Sequence, residues 1–298
     1  MTYDRETIAR VVREVLSENA PVSDTRNRDA DRTATMIGAA ALHASRCERP
    51  VPPLHAIDNP ADETVIERLV GSSPSQIAVG HRGLRFKTDL YLRMREGHAD
   101  AKDAVRSEVP DDWANDHGLR PLKSRCEHRD EYLLYPNHGR RLDDASLSAI
   151  ADLRGSRPDV QLIIGDGLSP NAVVKNGTES LQELHRALGA AGMQTGQDLY
   201  VKFARIGVAD EIGVAVEARS TVIVVGERPG LGTGDSLSFY IAVAPKLDQD
   251  NAEKNCISNV RQIGIKPHEA ADLTVGILKR ALELGRGGVA LGFGFGRT

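Results

Sequence analysis

The sequence predicts an α/β protein: a Rossmann-like, largely parallel sheet with helices on both faces, preceded by a mostly helical N-terminal region. In the second half, short apolar runs alternate with helical repeats, which implies right-handed crossovers between parallel strands. One run, Thr221-Val222-Ile223-Val224-Val225, is β-branched throughout and reads as a strand buried on both faces. With 298 residues, 40% hydrophobic and 27% charged, the chain can bury a sizeable core in one large or two modest domains.

Taken in order, residues 1–17 read as an amphipathic helix. Ile8, Val11, Val12, Val15 and Leu16 share one face, and Asp4, Arg5, Glu6, Arg10, Arg13 and Glu14 occupy the other. Charges interrupt the apolar face, so it is neither a secretory signal nor a membrane span. Residues 18–62, rich in Asp, Arg, Ala, Ser and Pro, read as a linker. Residues 63–142 read as mostly helical. Val65, Ile66, Leu69 and Val70 mark a short helix, and Leu90, Tyr91 and Met94 line one side of a longer one from Thr88 through Val105. Arg82, Arg85 and Lys87 read as a solvated basic face, and Trp113 as a core or interface anchor.

Residues 143–298 read as the Rossmann-like domain. Asp143 or Asp144 caps a helix carrying Leu147, Ile150 and Leu153, which stops at Gly155 and Pro158. A strand at Val160–Ile164, a helix at Thr178–Leu188 and a strand at Leu199–Ile206 follow. Next come a helical segment around Asp210 to Ala218 and strands at Thr221–Val225 and Ser238–Val243. A helix from Pro267 to Leu284 is expected to bury Leu273, Ile277, Leu278 and Leu282, and a glycine-rich tail runs from Gly287 to Gly296.

The charge balance, 38 basic against 42 acidic residues, argues against nucleic acid or an anionic membrane as partner. Cys47, Cys126 and Cys256, odd in number and widely spaced, suit reduced thiols in a cytoplasmic protein, and no CxxC pair points to a metal.

Chemistry gathers at three strand ends, where open α/β sheets hold ligands. They are Gly165-Asp166-Gly167-Leu168-Ser169, Arg205-Ile206-Gly207, and the turn from Gly226-Glu227-Arg228-Pro229-Gly230 to Gly232. Gly230, Gly232 and Gly234 offer backbone N–H groups to an anion or to the amides of a large cofactor. Asp166 between glycines is ordinary turn chemistry. Glu227 is less ordinary, because a carboxylate leaving a buried strand needs hydrogen bonds or a ligand to offset desolvation. The glycines do not spell a dinucleotide fingerprint. Asn255-Cys256-Ile257-Ser258-Asn259-Val260 reads as a loop closing over a ligand, with Cys256 a packing residue and not a nucleophile. His268 to Asp272 lacks the second histidine of a zinc-protease helix. Arg140-Arg141, after Pro136-Asn137-His138-Gly139, suits a phosphate or an acidic partner, with a surface salt bridge as the default.

Several segments together resemble the light subunit of ethanolamine ammonia-lyase over roughly residues 63 to 285. They are Ala101-Lys102-Asp103, Glu108-Val109-Pro110, Gly139-Arg140-Arg141-Leu142, Asp159-Val160-Gln161, Asp166-Gly167-Leu168-Ser169, Val225 to Gly232 and Cys256-Ile257-Ser258-Asn259. The resemblance implies one subunit of a carbon–nitrogen lyase that uses adenosylcobalamin, joined in a hetero-oligomer to a large subunit that holds ethanolamine in its barrel. It implies cofactor contacts at Ile206, Glu227 and Cys256, with Arg205, Gly226, Arg228 and Gly230 beside them, and no catalytic residue or metal ligand from this chain. The family commonly has Val where Ile206 stands and Ser where Gly165 stands. Its N-terminal helix is associated with packaging into a bacterial microcompartment. From the residues alone, a stand-alone α/β nucleotide-binding protein or enzyme remains the alternative.

Overall fold

The computed structural model describes residues 56–72, 77–231 and 234–292. The helix expected over 1–17, most of the linker 18–62, Gly232 and the end of the glycine-rich tail lie outside them. The chain divides into two units, Met1–Gly80 and His81–Thr298. In the first, helix α1 (Glu63–Gly71) starts where the Asp62 carboxylate accepts the Val65 N–H at 3.2 Å, and it buries no side chain.

The second unit opens with an exposed hairpin, β1 (His81–Arg82) and β2 (Arg85–Phe86), which places Arg82 and Arg85 at the surface. Helices α2 (Thr88–Arg106) and α3 (Trp113–Asp116), strand β3 (Arg120–Lys123), and helices α4 (Arg129–Leu134) and α5 (Asp144–Ala149) follow. The remainder runs β4 (Gln161–Gly165), α6 (Pro170–Ala190), β5 (Leu199–Lys202), α7 (Val208–Ala215), β6 (Ser220–Gly226), β7 (Leu237–Val243), β8 (Asn255–Val260) and α8 (Pro267–Leu284). One six-stranded sheet has the order β3-β5-β4-β6-β7-β8. Its first four strands are parallel, and β7 and β8 are antiparallel to their neighbours. The fold is therefore mixed α/β on a mostly parallel sheet.

Alternation along the strands sorts two cores. Val222, Val224, Leu237, Phe239 and Ile241 face α6 and α8, packing on Leu184, Leu188, Ala270, Ile277 and Leu278. On the other face Ile163, Val201, Ile223 and Val225 pack under α7 and the end of α5, through Ile212, Val208 and Ile150. Trp113 is buried in the first core, edge-on to Tyr200.

Several expectations need correction. The reading of 63–142 gave no strand, yet β3 forms the sheet's outer edge. Pro121 fits there because an edge strand can forgo a ladder donor. Asn255–Val260 is not a loop but the opposite edge strand, its alternation muted because only Ile257 and Val260 are buried. Helix α6 begins at Pro170, capped by the Ser169 hydroxyl, well before Thr178. Lys175, Asn176 and Gly177 hide its period, although Gly177 packs closely against Val173 and Trp113. Strand β5 stops at Lys202 because Phe203 takes φ +59, a left-handed turn whose cost of about 1–3 kcal/mol is offset by burial against Tyr132. Leu273 is 45% exposed, since Ala270, Ala271, Thr274, Ile277 and Leu278 form the stripe of α8 that faces the sheet.

Candidate functional site

The sheet has a ligand crevice by topology. From β4 the chain crosses to β5 on one side, then returns past β4 to β6 on the other, with crossover helices α6 and α7 on opposite faces. Register pairs Gly165 with both Val201 and Val225, so the carboxyl ends of β4, β5 and β6 lie at one edge. The three expected strand ends therefore meet.

Two glycines close the turns at that edge. Gly167 takes φ +58, and a Cβ there would stand 2.3 Å from the Gly226 carbonyl oxygen; a Cβ on Gly226 would stand 2.2 Å from the Ser169 carbonyl oxygen. The two backbones touch, and the Leu168 N–H donates to the Gly226 carbonyl at 2.9 Å. Asp166 is buried and structural: it accepts the Ala204 N–H at 2.9 Å and faces Arg129 at 3.5 Å. Burial pushes its carboxyl up to about 6 despite that arginine.

Ile206 follows the left-handed turn at Phe203 and packs at the margin of the second core. Arg205 before it is locked in place. Its guanidinium stacks 4.1 Å from the Tyr132 ring centre and donates to the Tyr132 carbonyl at 3.0 Å, while its buried Nε has no hydrogen-bond acceptor among the described residues.

Glu227 is the most heavily held residue at this edge. Its carboxylate accepts the Ser236 hydroxyl, the Ser238 hydroxyl at 2.5 Å and the Asn259 N–H at 2.8 Å. The last of these depends on a bulge. Between the Leu237–Val260 and Phe239–Ile257 pairs, β8 has one residue more than β7, and Asn259 sits at φ +59, so its N–H leaves the ladder and points to Glu227. Three donors meet the desolvation requirement inside the protein and leave about one of a carboxylate's four acceptor positions unused.

Cys256 lies directly opposite Tyr240, whose neighbour on the same face is Ser238. Tyr240 in turn sits opposite Ile223, which places Ser238, Tyr240 and Cys256 on the face of the second core. Here the helical cover runs out: Tyr240 is half-buried, and Cys256 and Ser258 are exposed. Surrounding protein still pushes the Cys256 thiol up, with hydrogen bonds to Tyr240 and Ser238 acting the other way. Desolvation and the neighbouring Cys256 push the Tyr240 hydroxyl up to about 12. Beyond Glu227, Arg228 and Gly230 are exposed, and Leu231 returns to pack against Gly97 of α2.

Glu227, in the turn of Gly226, Arg228 and Gly230, and Cys256 thus lie on the β6–β7–β8 side of the sheet, while Arg205 and Ile206 follow β5 on the other side of β4. Sequence reading missed Ser236, Ser238, Tyr240 and Asn259. The signal was present, because β7 alternates Ser236, Ser238 and Tyr240 with Leu237, Phe239 and Ile241, a period-two pattern with one polar face.

A family model described as ethanolamine ammonia-lyase light chain (EutC) matches residues 63–292. The chain belongs to that family. The light chain is a subunit of a lyase that depends on cobalamin, and its membership implies a large partner subunit in a hetero-oligomer. The match takes in α1 through α8, and with them Arg205, Ile206, Gly226, Glu227, Arg228, Gly230 and Cys256. Among the described residues no helix is long and apolar enough to cross a membrane, and no cluster of His, Cys, Asp and Glu suits a metal ion.

Proposed function

We propose that Ile206, Glu227 and Cys256 contribute to one wall of an adenosylcobalamin site, completed by the large subunit. The observation that carries this reading is that the sheet opens to solvent at half-buried Tyr240 and exposed Cys256, beside a Glu227 anchored through buried Ser238. A corrin is an apolar-edged ring fringed with amides, so its wall needs apolar surface, acceptors and N–H donors in fixed positions.

The residues present fit that group. Ile206 supplies apolar surface beside the turn. Glu227, immobilised by Ser236, Ser238 and the Asn259 N–H, keeps one acceptor position for an amide N–H. The buried Nε of Arg205 has no hydrogen-bond acceptor among the described residues. Gly226 brings β6 against the β4–α6 turn, and Arg228 and Gly230 carry the wall outward on the Rossmann-like edge. Adenosylcobalamin, when bound, supplies the homolytic chemistry for deamination of ethanolamine to acetaldehyde and ammonia. This chain orients the cofactor and excludes water from one side, while the large subunit holds the substrate. The amphipathic segment 1–17 is assigned to packaging in a microcompartment, which fusion of those residues to a fluorescent protein would test.

The direct experiment is co-expression with a large subunit, copurification, and titration with cobalamin. Glu227→Ala is expected to lower cobalamin affinity about tenfold, by loss of a charge-assisted contact, while the subunits still copurify. Unchanged affinity would remove Glu227 from the wall.

A further inference from the structure

A second feature of the same edge is a cleft of about 430 Å³ lined by Arg125, Asn137, His138, Arg140, Arg141 and Asp248. Three of its six lining side chains are guanidinium groups, which remain charged at any working pH. Asp248 is the single carboxylate in the lining, so three positive charges face one negative and leave an excess of two. That carboxylate pairs with Arg141 at 2.7 Å and is itself 76% exposed. Arg125 donates to the Leu142 carbonyl at 3.3 Å, and among the described residues neither Arg125 nor Arg140 has an ion-pair partner.

Three further acids lie near the cleft and have other hydrogen-bond partners. Glu131 holds His138 at 2.5 Å, Glu211 accepts the Leu142 N–H at 2.6 Å, and buried Asp210 pairs with Lys254 at 2.8 Å. The cleft lining thus carries more guanidinium than carboxylate groups, although Asp210 behind it also interacts electrostatically with Arg140 and Arg141. It is also fixed to the site above. The Gly139 carbonyl accepts the Arg205 N–H at 2.7 Å, and the Arg140 side chain lies on Gly207, where a Cβ would come within 2.8 Å of its Nε. Gly207 follows Ile206, so the arginines lie beside that residue.

We infer that this cleft is a phosphate site, and that the phosphate it takes belongs to the nucleotide loop of a cobalamin seated against Ile206. The planar forks of several arginines match the tetrahedral oxygens of a phosphate, which can engage more than one fork at a time. The volume exceeds that of a bare ion and admits the groups on either side of a phosphodiester. The inference rests on the cofactor reading above, and its test separates the two.

The complex with the large subunit is titrated with cyanocobalamin, with cobinamide phosphate, and with cobinamide, which lacks the nucleotide loop and its phosphate. The wild-type complex is expected to bind the first two more tightly than the third. Combined Arg125→Gln and Arg140→Gln substitution is expected to weaken the first two at least tenfold, about 1.4 kcal/mol, and to leave cobinamide unchanged. Equal wild-type affinity for all three, or an equal loss for all three in the variant, overturns the assignment. A measurement on the unmodified complex guards against a variant that fails to assemble. Excess inorganic pyrophosphate should displace cyanocobalamin and spare cobinamide, and absence of that competition also overturns it. Pyrophosphate binding that the variant abolishes, without any preference among the corrinoids, would give the cleft to a free phosphate compound and overturn the cobalamin source. A wild-type complex that binds no corrinoid refutes the cofactor reading itself.

Discussion

Strand β7 shows two different proteins on its two sides. Toward α8 it presents Leu237, Phe239 and Ile241 in a continuous apolar core; toward the other face it presents Ser238 and Tyr240, beside Glu227 and opposite Cys256. The same seven residues therefore present an apolar side and a side that carries polar groups. The difference teaches that exposure here follows the reach of the helices. Helices α6 and α8 cover the first face across β7, whereas on the second face Ser238 and Ala242 are still buried, Tyr240 is half-buried and Cys256 on β8 is exposed.

The largest effect should fall on the covered side. Phe239 is 0% exposed, and Phe239→Ala is expected to cost about 3–5 kcal/mol in equilibrium urea unfolding. A loss below about 1 kcal/mol would break the contrast between the faces.

At the edge between them, Asp166 gives a pH signature. Its carboxyl is raised from 3.8 to about 6 in the folded chain, so the folded state binds a proton that the unfolded state has released in that window. The desolvation cost is absent below pH 3.8 and fully present above about 6. This group should therefore lower stability on the order of 3 kcal/mol as pH rises through that interval. Asp166→Asn should flatten that slope, and parallel slopes for the two proteins would refute the burial argument.

The open side should tolerate change. Cys256→Ser is expected to alter unfolding free energy by less than about 0.5 kcal/mol. In native protein Cys256 should be alkylated while buried Cys126 is protected until unfolding. Native protection of Cys256 would mean that this face is covered.

The smallest effect belongs to His185 on α6. It pairs with Asp198 at 2.7 Å, which raises its pKa above 6.5. Its stabilising contribution is complete below about pH 6.5 and fades as pH rises through the folded value. Solvent screening of this partly exposed pair limits it to a few tenths of a kcal/mol. His185→Gln should remove that increment from the pH profile of thermal unfolding, and an unchanged profile would show that the pair contributes nothing.

Legibility in the sequence followed burial on both sides. The run from Thr221 to Val225 and the helix from Pro267 to Leu284 were readable because burial fixes residue type at nearly every position or at a strict period. The two edge strands were not readable. Arg120–Lys123 carries a proline, and Asn255–Val260 carries exposed polar residues, since an edge strand contributes few buried side chains to its own pattern. At the site, Glu227 and the strand-end glycines were visible as residues that ordinary strand chemistry does not explain. Their partners Ser236, Ser238 and Asn259 were not, because side chains from three separate segments meet only through the β6–β7–β8 register and its bulge.

By itself the sequence determined the α/β class, the two-sided burial of the central strands, and where the turns carrying Asp166 and Glu227 had to fall. Hydrophobic periodicity and glycine placement are local properties, and local chemistry records them. Only the tertiary structure decided that β7 and β8 run antiparallel and that burial gives way at Tyr240 and Cys256. It also decided that three arginines gather beside Ile206. Those outcomes depend on which distant segments pair and how far each helix reaches, and no single stretch of chain encodes either.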